Sequence, residues 1–391
     1  ILSFLIIVPL LLHFVITSKP VSKYFVLFLG SCAIFFGITY MMHPEYKHWF
    51  TRDSFGVWDS IFRPDRGAIW GIFFIEASKT PERIWKNFKI TSVFVFLYNL
   101  YLWFKAKNQG YWSYINASGI EERRSYSLDF GYSMAFVLLV VLYAYMFERK
   151  KWQLIFSVVL LALIFDTGSR GSLLVIFVFA AFFFIDSKWK MRQRVRNLLI
   201  ISVAGISVML FWKHLLLLLI SVMKKNHISS RTLNMLVSGE AMNDNGRDLI
   251  HDIILKKIAE KPYTGYGAFG DRQFIGPLFN WGYSHSILYE MWADFGVIFG
   301  TLFLALLVFL AVRIILTEKD PKTNAVCVIL VSLASRLVLS NTFWGDPYYW
   351  LLVGFILMYY VNKHKYSEIK SRINKILLDY LRKRRKENVL L

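Results

Sequence analysis

Long apolar stretches alternate with short polar connectors along most of this chain. Eleven stretches cover residues 1–16, 24–42, 61–77, 90–105, 129–147, 152–166, 171–185, 198–222, 286–312, 324–340 and 347–362. Several approach the ~20 residues that a helix needs to cross a bilayer. Because stretches such as 130–147 are apolar nearly all round, they indicate membrane helices and not the surface helices of a soluble protein. The pattern predicts an all-α fold, a polytopic transmembrane helical bundle with about 11–12 membrane helices.

The polar segment 223–285 interrupts this pattern and divides the chain. Unpaired backbone groups in lipid cost several kcal/mol each, so such a segment must lie outside the hydrocarbon or around a water-filled cavity. Apolar residues recur at helical spacing between 249 and 258, which predicts a helix from about Gly246 to Glu260 with Asn245 as its cap. We therefore expect transmembrane helices with short loops over 1–222, a large partly helical exoplasmic loop over 223–285, and further transmembrane helices over 286–362.

Basic residues mark one side of the predicted bundle. The 46 Lys and Arg residues give a formal net charge of +20, and most lie in alternate short connectors and in the tail 363–391. This distribution is typical of cytoplasmic loops and does not form the basic face of a nucleic-acid-binding protein. It predicts a basic amphipathic cytoplasmic tail on the inner leaflet, with a partner-binding role as the alternative, and places the long loop outside.

The remaining composition excludes some site types. Only two cysteines are present, each within an apolar stretch, so neither a disulfide framework nor a cysteine metal site is expected. His285 and Glu290 are five residues apart, which does not place them on one helical face, and we expect neither a metal nor a cofactor. Because Ile1 already lies in an apolar stretch, we also expect that an upstream segment or initiator is missing.

Aromatic residues flank the predicted exoplasmic helix ends. They are Trp281, Tyr283, Trp344, Tyr348, Tyr349 and Trp350. Such residues are typical of an interfacial belt, and stacking on sugar rings is the alternative.

Two arginines on the predicted exoplasmic side are candidates for binding phosphate. Arg170 lies between two closely linked apolar stretches, and its planar donor fork suits a phosphate or pyrophosphate. An arginine that snorkels to headgroups or pairs with Asp166 is the alternative. Arg247 lies in the first turn of the predicted loop helix, where backbone N–H groups favour anions. An ordinary surface arginine is the alternative at that position.

His285 begins the ninth apolar stretch and is a candidate general base. An unperturbed histidine has a pKa of ~6.5 and accepts a proton near neutral pH. The alternative is a histidine that is hydrogen-bonded at a helix start and has no chemical role. The glycine-rich turn over 263–272 lets backbone approach a ligand, but it lacks the strand and the Gly-Lys-Ser/Thr of a nucleotide loop.

These segments together resemble the O-antigen ligase/polymerase (Wzy/WaaL-type) membrane glycosyltransferase superfamily. Arg170 with Leu174 resembles the family's Arg-x-x-x-Leu motif, and Gly246-Arg247 followed by an amphipathic helix resembles its arginine-bearing periplasmic loop. His285-Ser286, nine residues and then Gly296 match its His-Asn/Ser/Gln motif. One departure is that Phe299 occupies the position of the second expected glycine, and Gly300 follows it.

The resemblance implies an inverting, metal-independent glycosyl transfer of the GT-C type. Arg170 and Arg247 would hold the undecaprenyl pyrophosphate of a glycan donor, and His285 would take the proton from the acceptor hydroxyl. Arg272, Arg231 and Arg124 are secondary candidates for pyrophosphate or sugar contacts.

We expect a polymerase of bacterial surface polysaccharide (O-antigen or capsule) whose acceptor is a hydroxyl group of a lipid-linked repeat unit. The alternatives are a ligase that uses lipid A core and a transporter of lipid-linked oligosaccharide. The expected location is the bacterial inner membrane, with the active site facing the periplasm and the C-terminus in the cytoplasm. A chain-length regulator is a candidate partner.

Overall fold

The computed structural model describes the larger part of the chain. The described residues are 23–52, 56–62, 69–115, 121–124, 127–167, 170–186, 189–196, 199–200, 203, 221, 247–278 and 282–363. The predicted crossing 1–16, most of the crossing 198–222, the first part of the long loop and nearly all of the tail 363–391 therefore lie outside the described residues.

Helices dominate the described residues, which confirms the all-α helical bundle. The longer helices are α1 (Lys23–Met42), α2 (Ile69–Ser78), α3 (Pro81–Gln109), α4 (Leu128–Glu148), α5 (Lys151–Thr167), α6 (Arg170–Ile185), α7 (Arg247–Glu260), α8 (Ile287–Thr317), α9 (Pro321–Ala334) and α10 (347–363). Short helical segments cover Pro44–Tyr46, Lys47–Thr51, Trp58–Phe62, 191–196, Arg272–Ile275, Ser335–Val338 and Phe343–Gly345. Two short antiparallel strands, β1 (Trp112–Ile115) and β2 (Glu121–Arg124), pair with Trp112 opposite Arg124.

Helix α4 forms the centre of the bundle. Its sequence is apolar on every face, and most of its side chains are buried against α3, α5, α6 and α9. Ser127 caps its first turn by accepting a hydrogen bond from the backbone N–H of Phe130 at 3.2 Å, and Arg149 ends it in a left-handed conformation. A helix that is hydrophobic all round is expected to be enclosed by neighbours in this way.

Several of the helices are long and apolar enough to cross a membrane. Among the described residues these are Leu128–Glu148, Ile287–Thr317 and Pro321–Val338, and a fourth span is possible where α1 meets Pro44–Thr51 at a bend of 107°. The apolar helix Gly171–Ile185 is shorter. The apolar helices thus indicate an integral membrane protein, while the number of crossings and the division into four segments stay predictions.

Helix α7 confirms the predicted loop helix and explains its spacing. Ile250, Ile254 and Ile258 lie on one face and are buried with Ile275 and Ala293. Helix α7 therefore packs on the first turns of α8, which brings the loop onto the end of the bundle.

Helix α8 bends at Gly296, whose φ of 77° and ψ of 163° lie outside the helical range. A Cβ at Gly296 would overlap the backbone carbonyl of Tyr263, and the backbone N–H of Val297 donates to the carbonyl of Pro262 at 2.7 Å. A Cβ at Gly300 would lie 2.6 Å from the carbonyl oxygen of Met291. The two glycines therefore serve different contacts.

Two boundaries and one set of aromatic residues differ from the prediction. The stretch 61–77 is divided between the π-helical segment Trp58–Phe62 and α2, with residues between them outside the described part. The stretch 324–340 is helical only to Ala334 and then tightens into the segment Ser335–Val338, where it carries a buried arginine. Trp344, Tyr349 and Trp350 are not belt residues, because the fold buries all three in a cluster with Phe36 and Phe269.

Gly71 in α2 allows close contact with the start of α10. A Cβ at this position would lie 2.8 Å from the carbonyl oxygen of Pro347 and 2.9 Å from the backbone nitrogen of Leu351, so the two helices must move apart to admit it. We expect Gly71→Ala to lower the free energy of unfolding by about 1–3 kcal/mol, measured by denaturation in detergent. Gly37→Ala in α1 is the control, because nothing lies within 4 Å of its Cβ position. Equal stability of the two variants would contradict this packing.

Candidate active site

His285 lies in the turn that leads into α8. Its backbone is left-handed, with a φ of 55°, and its ring centroid lies 4.3 Å from that of Tyr283. The pKa of His285 is lowered to about 3. Burial is the main cause, and the nearby Arg247 and His251 contribute to the same shift. The imidazole is therefore neutral at physiological pH and carries a lone pair, in surroundings that resist a second positive charge.

Arg247 is the first residue of α7 and is half-buried. Its guanidinium interacts electrostatically with His285, with Tyr283 and with the hydroxyl of Tyr132 in α4. The isoleucine face of α7 fixes this position, because it seats the helix on α8 just beyond His285. The structure therefore brings Arg247 and His285, which are far apart in the sequence, to the same end of the bundle.

Arg170 begins α6, but its side chain lies outside the described part of the structure. The next residue, Gly171, packs against Tyr132, and a Cβ there would overlap the phenol oxygen. The backbone at Arg170 is thus close to a tyrosine that interacts with Arg247. Asp166, the alternative partner of Arg170, accepts hydrogen bonds from Trp103 and Lys107, each at 2.9 Å.

Arg336 and Tyr132 are two site residues that the sequence prediction missed. The Nε of Arg336 donates to Asp346 at 2.5 Å, and its guanidinium lies 5.0 Å from the ring of Tyr132 and 4.9 Å from that of Tyr348. An arginine within the apolar stretch 324–340 was the available signal, since charged residues inside membrane segments are costly and commonly functional. A tyrosine within an apolar helix gives no comparable signal.

The secondary candidates occupy different environments. Arg272 is fully buried and interacts with Asp271, Glu290 and Thr342. Arg124 is exposed on β2 and donates to Glu122 at 2.8 Å. Arg231 lies outside the described residues.

Metal ligands and cavities are two other features that could mark a ligand site. In the described part of the chain, no group of three or more His, Cys, Asp and Glu side chains is arranged to hold a metal ion. A cavity of about 730 Å³ lies between α1 and α8 and has mainly apolar walls, including Phe35, Phe299 and Phe303. Neither His285 nor Arg247 lines this cavity.

One end of the bundle, which carries Arg247, His285, Tyr132, Tyr283 and Arg336 and is called the polar end, combines three chemical properties. Arg247 supplies a fixed positive charge, His285 supplies a neutral imidazole, and Tyr132 and Tyr283 supply phenol groups. Such an arrangement attracts an anion and can accept a proton from a neighbouring hydroxyl group.

The low pKa of His285 predicts a specific dependence on pH. The unfolded chain, with an ordinary pKa of ~6.5, binds the proton before the folded protein does, so the contribution of His285 to stability falls as the pH drops below 6.5. The histidine NMR signal of His285 in detergent, assigned with His285→Gln, should titrate near pH 3. Arg247→Ala removes a nearby cation and should raise this pKa. A midpoint near 6.5 in both proteins would contradict the described environment.

One comparison with known proteins gives a match. A family model described as O-antigen ligase matches residues 155–305, a range that contains Arg170, Arg247 and His285. No curated protein matches the chain. The match supports a ligase/polymerase-like role of the glycosyltransferase type, with a lipid-linked glycan and an acceptor as substrates in a membrane. Residues 155–305 are thus similar to the O-antigen ligase family model, and this match supports the O-antigen ligase/polymerase family for the chain.

Proposed function

We propose that this protein polymerises a bacterial surface polysaccharide by transferring a glycan from undecaprenyl pyrophosphate to a hydroxyl group of a lipid-linked repeat unit. The observation that carries the proposal is the position of Arg247, which interacts with both His285 and Tyr132. Tyr132 in turn packs against the glycine that follows Arg170. These contacts support the proposal that Arg170, Arg247 and His285 act at one site.

The donor diphosphate lies beside the two arginines in this proposal. As the bond between C1 of the sugar and the diphosphate oxygen breaks, negative charge grows on that oxygen, and fixed guanidinium groups stabilise it. Arg170 and Arg247 carry this role. Arg336 is a further cation next to Tyr132, although Asp346 balances its charge locally.

His285 acts on the acceptor. The acceptor oxygen attacks C1 from the face opposite the diphosphate, a new C1–O bond forms, and the hydroxyl proton passes to the imidazole. A single displacement inverts the anomeric carbon. His285 is neutral before the reaction, and the bound diphosphate would favour the imidazolium that forms, because an anion nearby stabilises the charged form. These steps need no metal and correspond to the GT-C type of transfer.

A ligase is the second candidate, because the matching family model is described as O-antigen ligase. A ligase would use the same donor groups and move the finished polymer to lipid A core. In both cases we place the protein in the inner membrane with His285 on the periplasmic side and the tail in the cytoplasm, as the basic connectors indicate. A chain-length regulator is a proposed partner of the polymerase.

Deletion of the gene separates the two candidates. A missing polymerase should leave single repeat units on the final acceptor, because ligation still occurs. A missing ligase should leave full-length polymer on the carrier lipid. The surface polysaccharide and the lipid-linked glycans of the deletion strain are compared by gel electrophoresis and mass spectrometry, and unchanged polysaccharide in both fractions would reject both functions.

The role of His285 is tested with purified protein and lipid-linked glycan extracted from that deletion strain. We expect His285→Ala to lower the transfer rate about 10²–10⁴-fold, since it removes the base. Undecaprenyl pyrophosphate should still bind to this variant, whereas Arg247→Ala should weaken binding. His48→Ala, at an exposed position on Lys47–Thr51, is the control and should transfer normally. Full activity of His285→Ala would remove the general base from the proposal.

A further inference from the structure

A buried cluster of charged side chains lies next to the turn that carries His285. Arg272 is completely enclosed, its guanidinium stacks 3.6 Å from the centre of the Phe269 ring, and it forms ion pairs with Asp271 at 3.3 Å and Glu290 at 3.5 Å. Asp294, one turn further along α8, is a third buried carboxyl group near this guanidinium. One buried cation is thus surrounded by more than one acidic group.

The cluster holds the turn that carries His285 through its neighbour Ser284. The backbone N–H of Ser284 donates to the free carboxylate oxygen of Asp271, Oδ2, at 2.8 Å. The Ser284 hydroxyl donates to the carbonyl of Ser286 at 3.2 Å, and the same carbonyl accepts the backbone N–H of Glu290 at 2.9 Å. Both residues that flank His285 are therefore fixed by the cluster or by the first turn of α8.

The backbone of His285 needs such support. A left-handed φ is unfavourable for a residue with a side chain, at a cost of about 1 kcal/mol or more, and persists only where the surrounding structure determines it. At a φ of 55°, His285 is turned away from the extended path of its neighbour Ser286, whose φ is −145°. This local conformation determines the direction in which the imidazole leaves the backbone.

The same cluster also fixes the segment that follows α9. Arg272 donates to the hydroxyl of Thr342 at 3.1 Å, and Glu290 accepts hydrogen bonds from that hydroxyl and from the backbone N–H of Phe343, the latter at 2.9 Å. The segment leads to Asp346, the partner of Arg336. The cluster therefore links the His285 turn to a second part of the polar end.

Stability alone does not account for this arrangement. Removing charges from water is costly, and a buried ion pair is often no more stable than well-packed apolar residues of similar size. Among the described residues, the Nε of Arg272 also has no hydrogen-bond partner, and a buried donor left in this state costs about 1–3 kcal/mol. A cluster with these costs is better explained by the geometry that it imposes.

We propose that Asp271 and Arg272 are positioning residues for His285: their buried ion pair holds the backbone at Ser284 and so directs the imidazole toward the acceptor hydroxyl. This inference rests on the proposed function, in which His285 is the base. In this inference Arg272 positions the base and does not contact pyrophosphate or sugar directly. The two residues act through the backbone and do not touch the substrate.

The test compares Asp271→Asn with the same substitution at Asp186, a buried carboxylate in a distant part of the bundle. Asp271→Asn removes the charge that pairs with Arg272, so we expect kcat to fall about 10–100-fold from misplacement of the base. The KM for the lipid-linked donor and the binding of undecaprenyl pyrophosphate should stay unchanged. The control is Asp186→Asn at the end of α6, where Asp186 accepts a hydrogen bond from Asn324 at 3.0 Å. It should lower the melting temperature and leave kcat unchanged.

A milder variant keeps the test decisive if Asp271→Asn does not fold. Ser284→Ala leaves the ion pair intact and removes only the hydroxyl brace to Ser286, so we expect a kcat several-fold lower at an unchanged melting temperature. Normal kcat in folded Asp271→Asn would overturn the proposal, and if that variant does not fold, normal kcat in Ser284→Ala would overturn it. An equal loss in Asp186→Asn would also overturn it. Full activity of His285→Ala would instead reject the proposed function itself, so the two failures are distinguishable.

Discussion

The buried guanidinium of Arg272 is the contact on which the polar end of this bundle depends. It pairs with Asp271 and Glu290 and donates to Thr342, so that a single side chain joins the glycine-rich turn, the start of α8 and the segment after α9. A charged group excluded from water must obtain its partners from the protein. The three segments therefore cannot separate without leaving buried charges unpaired, and their relative positions are fixed.

The apolar bundle supplies the rigid base for these segments. Helix α4 is enclosed by α3, α5, α6 and α9, and its Tyr132 lies at the point where the polar end begins. Gly171 allows α6 to approach the phenol oxygen, and Arg247 in the first turn of α7 interacts electrostatically with the same tyrosine. The polar groups thus lie at helix ends and in short turns, and the packing of the apolar helices fixes their positions.

The electrostatics of the site favour an anionic ligand. Burial and the nearby Arg247 keep His285 neutral, and the guanidinium itself keeps its charge at any physiological pH. An arriving diphosphate would meet a positive field, and its negative charge would make the imidazole more basic. In the proposed function, donor binding and activation of the base would then be coupled through one set of charges.

The sequence by itself determined the helical membrane class, the loop helix α7 and the residues to test, because hydrophobic spacing and a polar interruption of apolar stretches are local signals. It did not determine that α8 bends at Gly296, that α9 tightens at Arg336, or that Trp344, Tyr349 and Trp350 are buried. These features depend on contacts between segments remote in the chain, such as Gly296 with Tyr263. The pKa of His285 and the enclosure of Arg272 were likewise decided by the tertiary structure, because burial and neighbouring charges arise only when those segments meet.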